Sequence, residues 1–165
     1  MKKRIAIAVA LVVAMVVGFS AHALATPGAG IVTTTLSLGR FEEIDVKTND
    51  AHPHQVKLKT KGESDVYVVS NTIPPGGHSG WHTHPGPSLI TVKSGTATFY
   101  ESDDPTCTPH VYPAGTGVID PGDGHVHLLR NEGSVDLVTI TVQILPAGAP
   151  RRIDAPDPGN CPFSA

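Results

Sequence analysis

The chain has 165 residues, with 12 Lys and Arg against 15 Asp and Glu, 9 His, 17 Gly, 15 Pro and two Cys. That length suits one domain, and a formal charge of −3 with no basic cluster beyond the first residues gives nucleic-acid binding no electrostatic support. Abundant Gly and Pro, with no apolar 3.6-residue period after the N-terminal run, argue for short strands over helices.

The chain opens with Lys2, Lys3 and Arg4, then an uncharged apolar run from Ile5 to Phe19, then Ala21-His22-Ala23-Leu24-Ala25 with small residues at an A-x-A step. This pattern predicts a secretory signal peptide over residues 1–25, cleaved after Ala25. An uncleaved membrane anchor is the competing reading, but a span needs about 20 apolar residues and this run is shorter. The expected location is therefore extracytoplasmic, either secreted or periplasmic, with no stable membrane span after cleavage. Loss of the leader takes the formal charge from −3 to −6. In an oxidising compartment Cys107 and Cys161 are most simply one disulfide, fastening the Pro-rich tail, residues 146–165, onto the domain.

Residues 26–50 read as a linker, Thr26 to Gly30, followed by a first strand, Ile31 to Leu38. Further β-type segments follow over residues 51–145: Gln55 to Thr60, Asp65 to Ile73, Gly80 to His84, Leu89 to Lys93, Thr96 to Glu101, His110 to Tyr112, Gly117 to Ile119, His125 to Asn131 and Val135 to Leu145. Ser94-Gly95 between two of them is a hairpin turn signal. In the last segment Val138, Ile140, Val142 and Ile144 alternate with Thr139, Thr141 and Gln143. One face should pack on a core and the other should meet solvent or a polar cavity. The predicted class is an all-β sandwich or barrel.

Histidines cluster in this framework. Residues 76–87 read GGHSGWHTHPGP, and His82 and His84 form an H-x-H step. Residues two apart on a strand share a face, with Cα atoms about 6.5 Å apart, so two imidazoles can converge on one ion. A second such pair, His125 and His127, lies in GTGVIDPGDGHVHLLRNEG, residues 115–133. A third, His52 and His54, is interrupted by Pro53 and reads as a loop. His78 precedes the first pair and is either a proton shuttle at the site opening or a loop histidine. Trp81 should point away from the ligands and pack. Tyr67, Tyr100 and Tyr112 are candidates for a cavity wall.

The two H-x-H segments resemble the cupin superfamily, whose first motif is G-x5-H-x-H-x(3,4)-E-x6-G and whose second is G-x5-P-x-G-x2-H-x3-N. Gly76, His82, His84 and Gly95 fit the first, with Ser88 where the glutamate belongs. Gly115, Pro121, Gly124, His127 and Asn131 fit the second, with one extra residue between Pro121 and Gly124. The resemblance spans roughly Asp65 to Leu145 and implies a double-stranded β-helix, or jelly-roll, barrel. It also implies one divalent metal ion (Zn, Mn, Fe, Cu or Ni) held by His82, His84 and His127, with Asn131 ending a strand. His125 could join or replace His127 if the extra residue makes a bulge.

Ser88 is a neutral hydroxyl and a poor metal ligand, so the ligand set is neutral and open and oxalate-type chemistry is disfavoured. The implied function is an exported metal-binding cupin acting on a small oxygen-rich substrate, with metal-dependent oxidoreductase activity left open. Two alternatives are a non-catalytic ligand- or metal-binding barrel and a purely structural domain. The resemblance also leaves open a homodimer formed through sheet edges.

Overall fold

A computed structural model describes residues 25–49, 51 and 53–164. The expected leader up to Leu24, and His52 of the loop pair, lie outside the described residues. No helix among the described residues is long and apolar enough to cross a membrane.

Twelve strands occur in chain order: β1 (Val32–Phe41), β2 (Asp45–Lys47), β3 (Lys57–Lys59), β4 (Ser64–Ile73), β5 (His82–Thr83), β6 (Ser88–Ser94), β7 (Thr96–Glu101), β8 (His110–Pro113), β9 (Gly117–Asp120), β10 (His127–Arg130), β11 (Leu137–Pro146) and β12 (Ile153–Asp154). They pair in two five-stranded antiparallel sheets, β1-β4-β11-β6-β9 and β12-β5-β10-β7-β8. A separate β2-β3 hairpin lies outside both. The fold is all-β, a double-stranded β-helix. Every strand expected from the sequence is present within a few residues; β2 and β12 lacked the β-branched alternation that marks a strand in isolation.

The second sheet is covered on both faces. Towards the first sheet, Phe99 and Leu129 join Ile73, Ile90, Val92, Ala97 and Leu137 in the main core. On its other face Trp81, Tyr100 and Leu128 form a second cluster with Cys107 and Ala155, closed by Val126, Cys161 and Phe163. Period-2 alternation therefore sends His82 and Trp81, or Leu129 and Leu128, to opposite sides of one layer. Trp81 is fully buried in this packing, which is the use expected of it.

Both chain ends are part of the barrel. Thr26 to Gly30, expected as a linker, is docked: the Thr26 N–H donates to the Ala155 carbonyl at 3.0 Å and the Trp81 N–H donates to Thr26 Oγ1 at 2.7 Å. Gly80 makes this approach possible, because it holds a φ of +70° and a Cβ there would lie 2.2 Å from the Thr26 carbonyl oxygen. β1 is a full strand of the first sheet, fastened by a bidentate contact from Arg40 to Asp65 at 2.8 Å. The Arg40 guanidinium and the Gly148 N–H together hold the Asp65 carboxyl down at about 2. The tail, which the sequence placed beyond the barrel, returns across the histidine strand as β12, pairing Ile153 with Thr83 and Asp154 with His82.

The expected disulfide joins Cys107 to Cys161. Beside it Asn160 Nδ2 donates to the Glu101 and Asp104 carbonyls, and Phe163 packs on Tyr100 and under the Arg130 guanidinium. The bridge closes a 54-residue separation. Replacing both cysteines with serine should lower unfolding free energy by up to about 4 kcal/mol. Urea unfolding of the oxidised and variant proteins, with unchanged midpoints as the contrary outcome, measures this.

Candidate metal centre

Three imidazoles meet inside the barrel. His82 and His84 come from β5 and the residue after its end, and His127 opens β10, directly opposite His82 in the antiparallel register. All three are buried. Their ring centroids are 4.9 Å (His82 to His84), 4.4 Å (His82 to His127) and 5.5 Å (His84 to His127) apart. One ring nitrogen from each lies within 4.8 Å of the others. They line a cavity of about 70 Å³, enough for roughly five water-sized groups. Its remaining lining includes the apolar Val69, Ile90, Phe99 and Leu129 and the polar Gln143, Arg151 and Arg152.

The backbone fixes the tautomers of two rings. His82 Nδ1 lies 2.9 Å from the Gly80 carbonyl and His84 Nδ1 2.6 Å from the Arg151 carbonyl. A carbonyl oxygen only accepts, so each Nδ1 carries its proton and each Nε2 keeps a free lone pair. Gln143 Nε2 also lies 3.0 Å from His84 Nδ1, but two donors cannot bond each other. Gln143 Oε1 accepts from Arg151 Nη1 at 3.0 Å, which leaves its Nε2 to donate to Ser88 Oγ at 3.2 Å. Ser88 is fully buried and spent in that bond.

His127 lies beside a carboxylate. Its Nδ1 has no hydrogen-bond partner and lies 3.5 Å from Asp120 Oδ1. Asp120 is buried at the end of β9, accepts from the Gly122 N–H at 3.1 Å and lies 3.2 Å from His125 Nδ1. Its other oxygen has no partner. Asp120 pairs in register with Ser88, so a carboxylate stands one strand away from the position where the motif glutamate is absent. Carboxylates beside the non-ligating nitrogen of a histidine fix its orientation and raise its basicity as a ligand. Sequence spacing could not reveal Asp120, because only the β6-β9 register places it beside Ser88.

The surroundings favour neutral rings. Burial pushes the His82 imidazole well below its ordinary 6.5, helped by the neighbouring His127, Arg152 and His84. Burial likewise lowers His84 and His127, against the opposing pull of Asp120. A neutral imidazole with a free Nε2 is the form that binds a metal.

Other sequence candidates fall elsewhere. His125 precedes β10, is partly exposed and joins Asp120 and His127 rather than the cavity trio. His78 is a bridging residue whose Nδ1 accepts from the Gly80 N–H at 3.1 Å. His54 is exposed. None of the three tyrosines expected in the cavity wall lines it: Tyr100 packs under the tail with its hydroxyl donating to Glu132, Tyr112 packs on Phe99, and Tyr67 lies beneath Arg151. Asn131 closes β10 by donating to the Ile73 and Val135 carbonyls.

In β11 the polar face meets a polar cavity, one of the two outcomes expected for it. Its alternation is present, but Thr139, Thr141 and Gln143 are the buried face and Val138, Ile140, Val142 and Ile144 are only half-buried on the other. The inner face borders the cavity through Thr141 and Gln143, and Thr139 Oγ1 accepts from Asn71 Nδ2. The barrel interior is polar along this strand, so the polar set turns inward.

The three inward imidazoles thus stand on neighbouring strands of a small antiparallel barrel. Residues 69–143 match the model of the cupin domain family, and the chain carries a cupin domain over that span. No curated protein matches the chain. Among solved structures it is similar to a conserved protein with a double-stranded β-helix domain from Klebsiella pneumoniae, at 24% identity and a TM-score of 0.46, covering 69% of this chain and 84% of that one. A protein of unknown function from Streptococcus pyogenes is 16% identical with a TM-score of 0.46, covering 72% and 76%. The cupin domain of an XRE family transcriptional regulator from Enterobacter cloacae is 17% identical with a TM-score of 0.44, covering 74% and 100%.

Because burial depresses the three imidazoles, the unfolded chain binds protons below about pH 6.5 that the folded chain does not. Stability should therefore rise with pH through this window in metal-free protein, by up to about 1.4 kcal/mol per pH unit for each such histidine. Urea midpoints between pH 5 and 8 test this, and a slope undiminished in His84→Gln would contradict it.

Proposed function

We propose that this chain is an exported, metal-binding cupin that holds one divalent ion through Nε2 of His82 and of His84 together with His127, and presents it to a small oxygen-rich ligand in the cavity. The observation that carries this reading is the tautomer control. Two backbone carbonyls occupy the Nδ1 protons of His82 and His84, so both Nε2 lone pairs are left free in a group whose ring nitrogens lie within 4.8 Å of one another. Buried histidines that merely satisfied one another would hydrogen-bond ring to ring, and no such bond joins these three among the described residues.

The donor set suits a borderline ion: three neutral nitrogens with no protein carboxylate lining the cavity among the described residues. An ion bound there would act as a Lewis acid towards an oxygen of the ligand. The protein's own residues do the rest. Asp120 orients His127, Gln143 links Arg151 to Ser88 behind His84, and Phe99, Ile90 and Leu129 keep the inner end dry. Export is supported by the leader pattern and by a Cys107 to Cys161 bridge of the kind that persists in oxidising compartments. It is also supported by the anchoring of Thr26, the residue directly after the expected cleavage point, onto Ala155 and Trp81.

His82→Ala or His84→Ala should lose stoichiometric metal in elemental analysis while keeping the β-sheet circular dichroism of the parent. Full metal content in either variant would rule out this ligand set. Asp120→Asn should keep the metal but weaken zinc affinity by about 10- to 100-fold in competition with a chromogenic chelator. An unchanged affinity would remove Asp120 from the support of His127.

A further inference from the structure

Arg151 and Arg152 are the one adjacent basic pair after the leader, and both line the histidine cavity although they belong to the tail. They are placed there by three constraints: β12 pairs with β5, the Arg151 carbonyl accepts the His84 proton, and the Ala155 N–H donates to the Trp81 carbonyl at 2.9 Å.

Their side chains are incompletely matched. Arg151 donates to the neutral Gln143 amide and lies 5.9 Å above the Tyr67 ring, and no carboxylate pairs with it among the described residues. Arg152 pairs through Nε with Asp154, which is half-exposed, while its Nη2 is buried with no hydrogen-bond partner. The positive charge of Arg152 is felt at both His82 and His84, where it opposes protonation. Two guanidinium groups thus face a pocket of neutral imidazoles whose lining contains no acidic side chain among the described residues. A guanidinium held only for structure would have its donors filled by protein groups, because a buried charged donor without a partner is costly.

We propose that Arg151 and Arg152 form an anion-recognising wall, and that the ligand of this cavity is a small organic carboxylate bound by the Arg152 fork. The planar fork of arginine donors matches a carboxylate in two parallel hydrogen bonds. The apolar part of the lining, Val69, Ile90, Phe99 and Leu129, accommodates a short carbon skeleton that inorganic anions lack. The assignment rests on the metal reading only for what else the ligand touches; the arginines and the cavity are present without it. Arg152 is accordingly a specificity residue, and the tail that carries it is part of the binding site.

The test uses the protein purified from its host and loaded with Zn(II), titrated calorimetrically with malonate, its uncharged counterpart malonamide, and inorganic phosphate. Malonate should bind saturably, with malonamide and phosphate weaker by about tenfold or more. Arg152→Gln should weaken malonate by about tenfold with zinc stoichiometry unchanged, Arg152→Lys should recover part of the loss, and Asp154→Asn should retain malonate binding. A structural role for the Arg152 pair would instead make Asp154→Asn as damaging as Arg152→Gln. That result, equal binding of malonate and malonamide, tighter binding of phosphate, or an Arg152→Gln protein that folds and binds malonate normally would each overturn the proposal. If Arg152→Gln fails to fold, the Arg152→Lys and Asp154→Asn comparison decides. If the parent takes up no zinc, the metal reading fails by itself, and malonate binding to the metal-free protein then decides this one: binding that depends on Arg152 upholds it and no binding overturns it.

Discussion

Three neutral imidazoles buried with ring centroids 4.4 to 5.5 Å apart impose the constraint around which the barrel is organised. Each ring has two nitrogens to satisfy, and a buried polar atom without a partner is destabilising. The solution for His82 and His84 is to bind each Nδ1 proton to a backbone carbonyl, from Gly80 and Arg151. Those carbonyls are available only because the chain turns tightly at Gly80 and because the tail comes back across β5. The left-handed conformation of Gly80, the docking of Thr26 beneath it and the pairing of β12 with β5 therefore serve the same two hydrogen bonds.

A wet, polar interior has consequences for the layers around it. The cavity takes part of the inner faces for His82, His84, His127, Thr141 and Gln143. The main apolar core, around Ile73, Val92, Ala97 and Leu137, runs up to the cavity through Ile90, Phe99 and Leu129. A second cluster compensates on the outer face of the histidine sheet, where Trp81, Tyr100 and Leu128 are sealed by the tail. The disulfide and the Arg130 contact with Phe163 keep this cover in place, so stability of the tail and integrity of the site are coupled through one stretch of chain.

The electrostatics of the site differ from those of a centre with a glutamate ligand. Ser88 has no charge and is tied to Gln143, while the nearest carboxylate, Asp120, stands behind His127 instead of in the cavity. Negative charge thus stands behind His127 and outside the cavity lining. Arg151 and Arg152 add positive charge to that space. A site of this polarity attracts an anion and leaves any bound cation with its full charge, which suits recognition of a ligand through its oxygens.

Period-2 patterning, turn residues and the two H-x-H steps made the all-β class, ten of the strands, the cysteine pair and the three central histidines legible in the sequence, because each of these signals is local. Strand direction was less so. The alternation in β11 announced two faces but not which one was inside, since a polar cavity reverses the usual rule and only the packed barrel reveals the cavity. The linker and tail looked like loose ends because short strands rich in Pro, Gly and Arg carry little intrinsic preference; their place comes from pairing with Trp81, His82 and Thr83. Asp120, Gln143, Arg151 and Arg152 reached the site through register and return of the chain, contacts between residues far apart in sequence. The sequence by itself determined which chemical groups the barrel has to place, and the tertiary structure decided which of them share a cavity, because convergence depends on strand pairing that no local spacing encodes.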